Sequence, residues 1–323
     1  MPSVLSAFFR LWVPAFLSVF AVSGASAQTP MSKADSPGWY RMHIGSFEIT
    51  ALSDGTLDLP VDQLFPKVNP DRIRSLLSRS YLAPTISLTV NAFLVNTGTR
   101  LVLIDTGTGT SQMFGPKLGH LLANLRASGY SAEQVEEIYV THMHTDHIGG
   151  LMRDGQPAFP KATIRADRRE AGRYLSKSEM DAAPTDERED YESAMAIFKP
   201  YLEADKFKPF DGETQLIPGV RAMPAAGHTP GHTIYVVESG SERIFVWGDL
   251  MHVAALQFPL PSATFETEWS TTKSAQQRQA VFADVASHGY YAAAAHVAFP
   301  GIGKLRADGD GYTWVPVSYI FGK

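Results

Sequence analysis

Residues 141–150 read THMHTDHIGG, with an apolar run before them and two glycines at their end. This stretch constrains the fold more than any other, because clustered imidazoles need a rigid frame that brings further polar groups to them. His142 and His144 are two residues apart, so in an extended segment both rings leave on one side. Asp146 and His147 follow after a bend and face a second point nearby, a spacing that suits two metal ions better than one. The chain contains no cysteine, which excludes thiolate ligands, a thiol nucleophile and disulfides.

Other ligand types recur at the ends of strand-like runs. AAGHTPGHTIYV carries His228 and His232, IFVWGD ends on Asp249 with His252 three residues later, and AAAAHVAFPGIG carries His296. A sheet can aim such side chains at a common point. His142, His144 and His228 suffice for one ion and Asp146, His147 and His296 for another, with Asp249 bridging. Each ion keeps a position for water, as catalytic sites do. Nitrogen and carboxylate ligands without sulfur favour two Zn²⁺, with Mn²⁺, Fe or Co also compatible.

The surroundings read as mixed α/β. FEITALSDG and the hairpin VNAFLVNTGTRLVLIDTG predict strands, as do EIYVT, ATIRA and the hairpin HTIYVVES/ERIFVWGD turning at Gly240 and Ser241. Leu118, Leu121, Leu122 and Leu125 have helical spacing with Gly129 as a stop, and Ser131/Gln134 and Ser274/Gln277 have capping-box spacing. Residues 168–203 predict helix, and YYAAAAHVAF predicts a last strand ending at Pro300. No repeat or low-complexity linker divides the chain.

Residues 1–27 have the form of a secretory leader: Arg10, the apolar run LWVPAFLSVFAV and the small residues Ala25, Ser26 and Ala27. The expectation is a cleaved leader, then a single hydrolase domain over 28–323, exported to the periplasm or beyond and with no membrane span in the mature form. The net charge of −5 offers no basic field for nucleic acid and fits a small neutral substrate.

HMHTDH, GHTPGH, the Gly248–Asp249 pair and His296, in this order, resemble the metallo-β-lactamase superfamily. The resemblance implies a four-layered αβ/βα sandwich with the metals at one edge of paired sheets. It also implies that Asp105 of IDTG and His232 stand behind the ligands. FLVNTG, LVLIDTG, FGPKLGHLLANL, GHTPGHTIYVVES and FPGIG resemble methyl parathion hydrolase and its lactonase-like relatives, which are exported binuclear homodimers. Phe114, Tyr174 and Tyr191 match their pocket positions. Where efficient phosphotriesterases of that group carry an apolar side chain this sequence has His252, and where they carry a basic one it has Leu64, also counted to the pocket.

The expectation is therefore a hydrolase that uses a hydroxide shared between two ions to open lactones or aryl esters, with phosphotriester hydrolysis as the alternative. Asp249 holds the ion pair, Asp146 steers protons, and His252 either meets the substrate or caps a strand end. Absence of cysteine argues against β-lactam hydrolysis. A metal-sequestering protein without turnover needs no bridging carboxylate.

Overall fold

The computed structural model describes residues 31, 36–111 and 113–319, so the leader expected over residues 1–27 lies outside them. The first sheet contains β1 (Trp39–Ile44), β2 (Phe47–Pro60), β3 (Thr85–Asn96), β4 (Leu101–Ile104) and β5 (Glu137–Tyr139). A short ribbon, β6 (Met152–Arg153) with β7 (Gln156–Pro157), precedes its edge strand β8 (Thr163–Arg165). The pairs from β1 to β4 are antiparallel, and β4, β5 and β8 run parallel. The second sheet has the spatial order β15 (Gly311–Pro316), β14 (Ile302–Asp308), β13 (Tyr291–Ala293), β12 (Glu242–Val246), β11 (Thr233–Ser239), β10 (Val220–Pro224), β9 (Thr214–Ile217).

Both faces of these sheets are covered, which is why the strands read as nearly unbroken apolar runs. Along β3 and β4, Phe93, Val95, Val102 and Ile104 point inward to meet Val220, Tyr235, Val237, Ile244 and Val246 of the second sheet. Their neighbours Leu94, Leu101 and Leu103 point outward. Tyr235 crosses the gap, with its ring centroid 5.3 Å from that of Tyr139 and its hydroxyl donating to the Val140 carbonyl at 2.7 Å.

The helices, in chain order, are α1 (Val61–Leu64), α2 (Pro70–Arg79), α3 (Leu121–Ala127), α4 (Thr145–Ile148), α5 (Arg168–Tyr174), α6 (Lys177–Ala182), α7 (Arg188–Glu203), α8 (Ala254–Gln257) and α9 (Thr271–His288). Outward residues of the first sheet pack against α3 and α7 through Leu121, Leu125, Ala194 and Phe198. On the other side Ile234, Val236 and Phe245 pack against Val281, Phe282 and Val285 of α9. The layers thus run helix, sheet, sheet, helix, as the four-layered sandwich requires. A separate cluster, with Val61, Ile73, Leu77 and Leu256, closes over the far end of the β2–β3 hairpin.

Several boundaries differ from the sequence expectation. Helix α3 begins at Leu121 because the buried Asp54 carboxylate accepts the Gly119 and Leu121 amides, which holds the chain before it in a loop. Helix α9 begins at Thr271: Ser270 caps it by accepting the Lys273 amide, while Ser274 lies inside the helix and accepts from Arg278. Gly289, at φ +65°, ends it as expected. The last predicted strand stops at Ala293, and the chain returns after Pro300 as the hairpin β14–β15. The Ser131/Gln134 box is present and opens a short 3₁₀ turn.

Candidate metal centre

The motif at 142–147 follows β5, and α4 forms the bend that the spacing predicts. His142 Nε2 and His228 Nε2 each lie 3.0 Å from His144 Nδ1, so three rings converge on one point. The second group is Asp146, His147 and His296: Asp146 Oδ2 is 3.5 Å from Nε2 of each of the two histidines. Asp249, at the end of the β11–β12 hairpin, stands between the groups. Its Oδ1 is 3.2 Å from His147 Nε2 and 3.1 Å from His296 Nε2, while Oδ2 is 3.4 Å from His228 Nε2 and 3.7 Å from His142 Nε2. The structure therefore brings all seven predicted ligands together.

Hydrogen bonds behind the rings decide which nitrogens face inward. Thr141 donates its hydroxyl to Asp105 Oδ2 at 2.8 Å, so it is left to accept from His142 Nδ1 at 3.1 Å. Asp105 Oδ2 also accepts from His147 Nδ1 at 2.8 Å, and His296 Nδ1 donates to the Thr89 carbonyl at 2.8 Å. His144 is turned the other way, with Nε2 2.9 Å from the Tyr174 hydroxyl. In each case the inward nitrogen is the one left as a lone pair when the ring is neutral. Among the described residues, His147 Nε2 and Asp249 Oδ1 are buried without a hydrogen-bond partner. Converging lone pairs beside a carboxylate are the donor set of a divalent cation, so the residues fit one at each group.

Protonation reflects the same crowding. Burial, reinforced by neighbouring histidines, pushes His142 well below the ordinary imidazole value and His144 down to about 3. Burial also opposes charge on His147, but Asp249, Asp146 and Asp105 outweigh it and raise its pKa well above normal. His296 is raised, against burial, by Asp249 and Asp146. His228 is raised too, against burial, by Glu268 and Asp249. His232 is driven down to about 3 by burial and then by His228; neutral, it accepts the Asp249 amide at Nε2 (3.0 Å) and donates from Nδ1 to Ala225.

Backbone geometry is tight here. Asp105 has φ +60°, a left-handed conformation rare for a residue with a Cβ and found where surroundings enforce it. Gly248, at φ +49°, has no room for a side chain: a Cβ would lie 2.7 Å from Thr141 Oγ1 and 2.9 Å from His232 Nε2.

His252 is buried beside the group, with Nε2 3.1 Å from Asp249 Oδ2 and its ring stacked on Phe265 at 4.4 Å. Tyr174 is buried behind His144, and the buried Tyr191 packs on it at 5.1 Å. Phe114 is half-buried in the loop before α3. Leu64 is half-buried in α1, against the cluster with Val61 and Ile73, and its carbonyl accepts from the Glu266 amide.

Three charged residues that the sequence reading passed over brace the site. Glu170, fully buried, accepts the Met143 amide at one oxygen and the Thr229 hydroxyl and Gly231 amide at the other, tying the 142–147 loop to the 228–232 loop. Glu268 Oε2 lies 3.5 Å from His228 Nδ1, and its Oε1 is 3.3 Å from Arg278. Despite burial, His228 holds the Glu268 carboxyl down to about 2. Arg278, fully buried, also donates to the carbonyls of Leu250 and Ala263. None stands out in a stretch that reads as ordinary helix or loop; the one sequence signal was Arg278 falling among Val281, Phe282 and Val285 on the apolar side of its helix.

The family model described as the metallo-beta-lactamase superfamily matches residues 87–274. A probable metallo-hydrolase of Mycobacterium tuberculosis is 29% identical over 206 residues, covering 57% of this chain and 63% of that protein. The chain thus spans less than two thirds of that relative. An N-acyl homoserine lactonase of Bacillus cereus is 26% identical over 189 residues, covering 51% of this chain and 67% of that protein. Among solved structures, the hydrolase AbOPH of the beta lactamase superfamily is 34% identical with a TM-score of 0.84, covering 89% of this chain and 100% of that one. AidC, a dizinc quorum-quenching lactonase, is 26% identical with a TM-score of 0.80, covering 88% and 98%.

Proposed function

The chain belongs to the metallo-β-lactamase superfamily, and on that premise we propose that it is a binuclear metal-dependent hydrolase that opens lactones or cleaves aryl esters. The observation that carries this reading is Asp249, whose carboxylate stands between the two ligand groups, within 3.2 Å of His147 Nε2 and 3.4 Å of His228 Nε2. A carboxylate so placed fixes the spacing of two cations, which storage of metal does not require. The likeness to lactonases supports the lactone part of the reading.

In this reading His142, His144 and His228 hold one cation, Asp146, His147 and His296 the other, and Asp249 both. Bound there, two divalent ions supply Lewis acidity for a carbonyl oxygen and a water that ionises near neutral pH. Asp105, Thr141, Thr89 and Tyr174 hold the outward nitrogens, so that once a ring is neutral its inward nitrogen is the one free to bind. Asp146 is the carboxylate at the exposed edge of the site and takes up a proton from attacking water. His252 holds Asp249 Oδ2 and, with Phe265, forms an apolar wall that limits water beside the carbonyl. The leader at 1–27, export and a homodimer belong to the same proposal; the mass of the exported product and light scattering test them.

The deciding experiment measures bound metal and compares kcat/KM for an aromatic lactone, a p-nitrophenyl ester and a methyl phosphotriester, before and after chelation. Two ions per chain and a lactone or ester preference of several orders of magnitude are expected. A dominant phosphotriester activity replaces the substrate class, and activity that survives metal removal overturns the mechanism.

A further inference from the structure

Strand β3 carries Asn91 inside an apolar run, buried where an amide is costly unless it is hydrogen-bonded. β4 pairs with β3 over Phe93–Asn96, so the edge at Thr89 and Asn91 is left to another partner. That partner is the loop after β13, which carries His296. The Asn91 amide donates to the Ala295 carbonyl at 2.9 Å. Its side-chain Nδ2 donates to the carbonyls of Val297 at 2.8 Å and Ala294 at 3.2 Å, and the Thr89 hydroxyl donates to Val297 as well, at 2.8 Å. The residues on both sides of His296 are therefore tied to one strand of the first sheet, and His296 Nδ1 reaches the same strand at the Thr89 carbonyl. The returning chain comes as close: a Cβ on Gly301, at φ +69°, would lie 2.7 Å from Asn91 Nδ2. Among the described residues Asn91 Oδ1 has no hydrogen-bond partner, a cost that an apolar side chain of the same shape would avoid. Its donor side is what the position uses.

The His296 ring has to deliver Nε2 to a point 3.5 Å from Asp146 Oδ2 and 3.1 Å from Asp249 Oδ1. The bond to Thr89 fixes the rotation of the ring, but it can do so only while the 294–297 backbone keeps its height along β3, and Asn91 sets that height. We propose that Asn91 is the positioning residue for His296, and that through it β3 sets the affinity of the ion held by Asp146, His147 and His296. The proposal rests on the binuclear reading above. Asn91 acts on loop backbone rather than on substrate, so its loss weakens that ion and leaves the chemistry of the loaded site near its original rate. The group of His142, His144 and His228 stands on other loops and keeps its ion.

The test titrates the metal-free full chain with Zn²⁺ against a chromophoric chelator, with His296→Ala as the marker for the binding step that belongs to the second group. In Asn91→Leu, which nearly keeps the shape of the side chain and removes its donors, the second step is expected to weaken by about 10–100-fold and the first by less than about threefold. Excess Zn²⁺ is expected to bring kcat/KM for an aryl ester back to within about threefold of the unaltered chain, a recovery that damage to the chemistry itself would not allow. Asn91→Ser, which retains one donor, is expected to lose less at the second step, and it decides the matter if Asn91→Leu does not fold. A second step left unchanged, both steps weakened alike, or an activity loss that excess Zn²⁺ leaves in place overturns the proposal. Uptake of fewer than two ions by the unaltered chain sinks the binuclear reading and this proposal with it, whereas a shift confined to one step of a two-ion protein bears on Asn91 alone.

Discussion

The two ligand groups on either side of Asp249 are built on opposite electrostatic terms. At the His142/His144/His228 group burial dominates: two of three rings are held neutral, and the inward lone pairs are free. At the Asp146/His147/His296 group carboxylates dominate: both imidazoles hold protons above their ordinary range, and Asp146 is lowered, against burial, by those same histidines. A proton there occupies the place of a cation. The difference teaches that one loop of six residues can serve two sites of different character, because alternate residues meet different neighbours.

The comparison breaks most severely at its centre. Asp249→Asn is expected to lower kcat/KM by about 10³-fold or more, near 4 kcal/mol of transition-state stabilisation, and to weaken both ions. Metal content by mass spectrometry together with steady-state kinetics checks this, and loss of one ion alone would show that the groups are independent.

Acid separates them next. His147 and His296 have raised folded-state values, so their protons persist to higher pH and metal binding must displace them. His144, at about 3, presents no proton to displace above pH 5, which leaves only His228 as a competitor in its group. As pH falls from 8 to 5, the second group should lose its ion first, with affinity falling roughly tenfold per pH unit for each proton displaced. Equilibrium dialysis at fixed free metal gives the order, and simultaneous loss contradicts it.

A smaller effect is expected behind His228. Glu268→Gln should weaken the first ion by about 10–100-fold and leave the second near its original affinity, measured by chelator competition. The smallest belongs to Tyr174→Phe, which removes one hydrogen bond to His144 and should cost about 1 kcal/mol at that group, within an order of magnitude in metal affinity.

The ligands were legible because they are local words in the sequence: HMHTDH, GHTPGH and GD state residue type and spacing together. A mixed α/β domain was legible from the strand and helix patterns, and the four-layered sandwich from the resemblance that the ligand motifs carry. Glu170, Glu268 and Arg278 were not, since what makes them important is burial between elements far apart in the chain, and a charged residue carries no mark in the sequence of its eventual depth. The start of α9 was misread because Ser270 and Ser274 are both acceptable caps by spacing; a buried arginine that needs the Ser274 hydroxyl decides between them. The alanines after Ala293 have little preference for a strand, which let the chain leave the sheet and carry His296 to the site.

The seven side chains come from both sheets: four from the loop after β5, and three from turns around the strands of the second sheet. Ions held there as proposed would therefore fasten the two layers together as well as serve the reaction. In a chain with no cysteine they stand where a covalent cross-link would. An ion present at 100 times its dissociation constant adds about 2.7 kcal/mol to the folded state by mass action alone. If the ions bind as proposed, metal supply would set how long each molecule survives, and a shortage would thin the population as well as slow the molecules that remain.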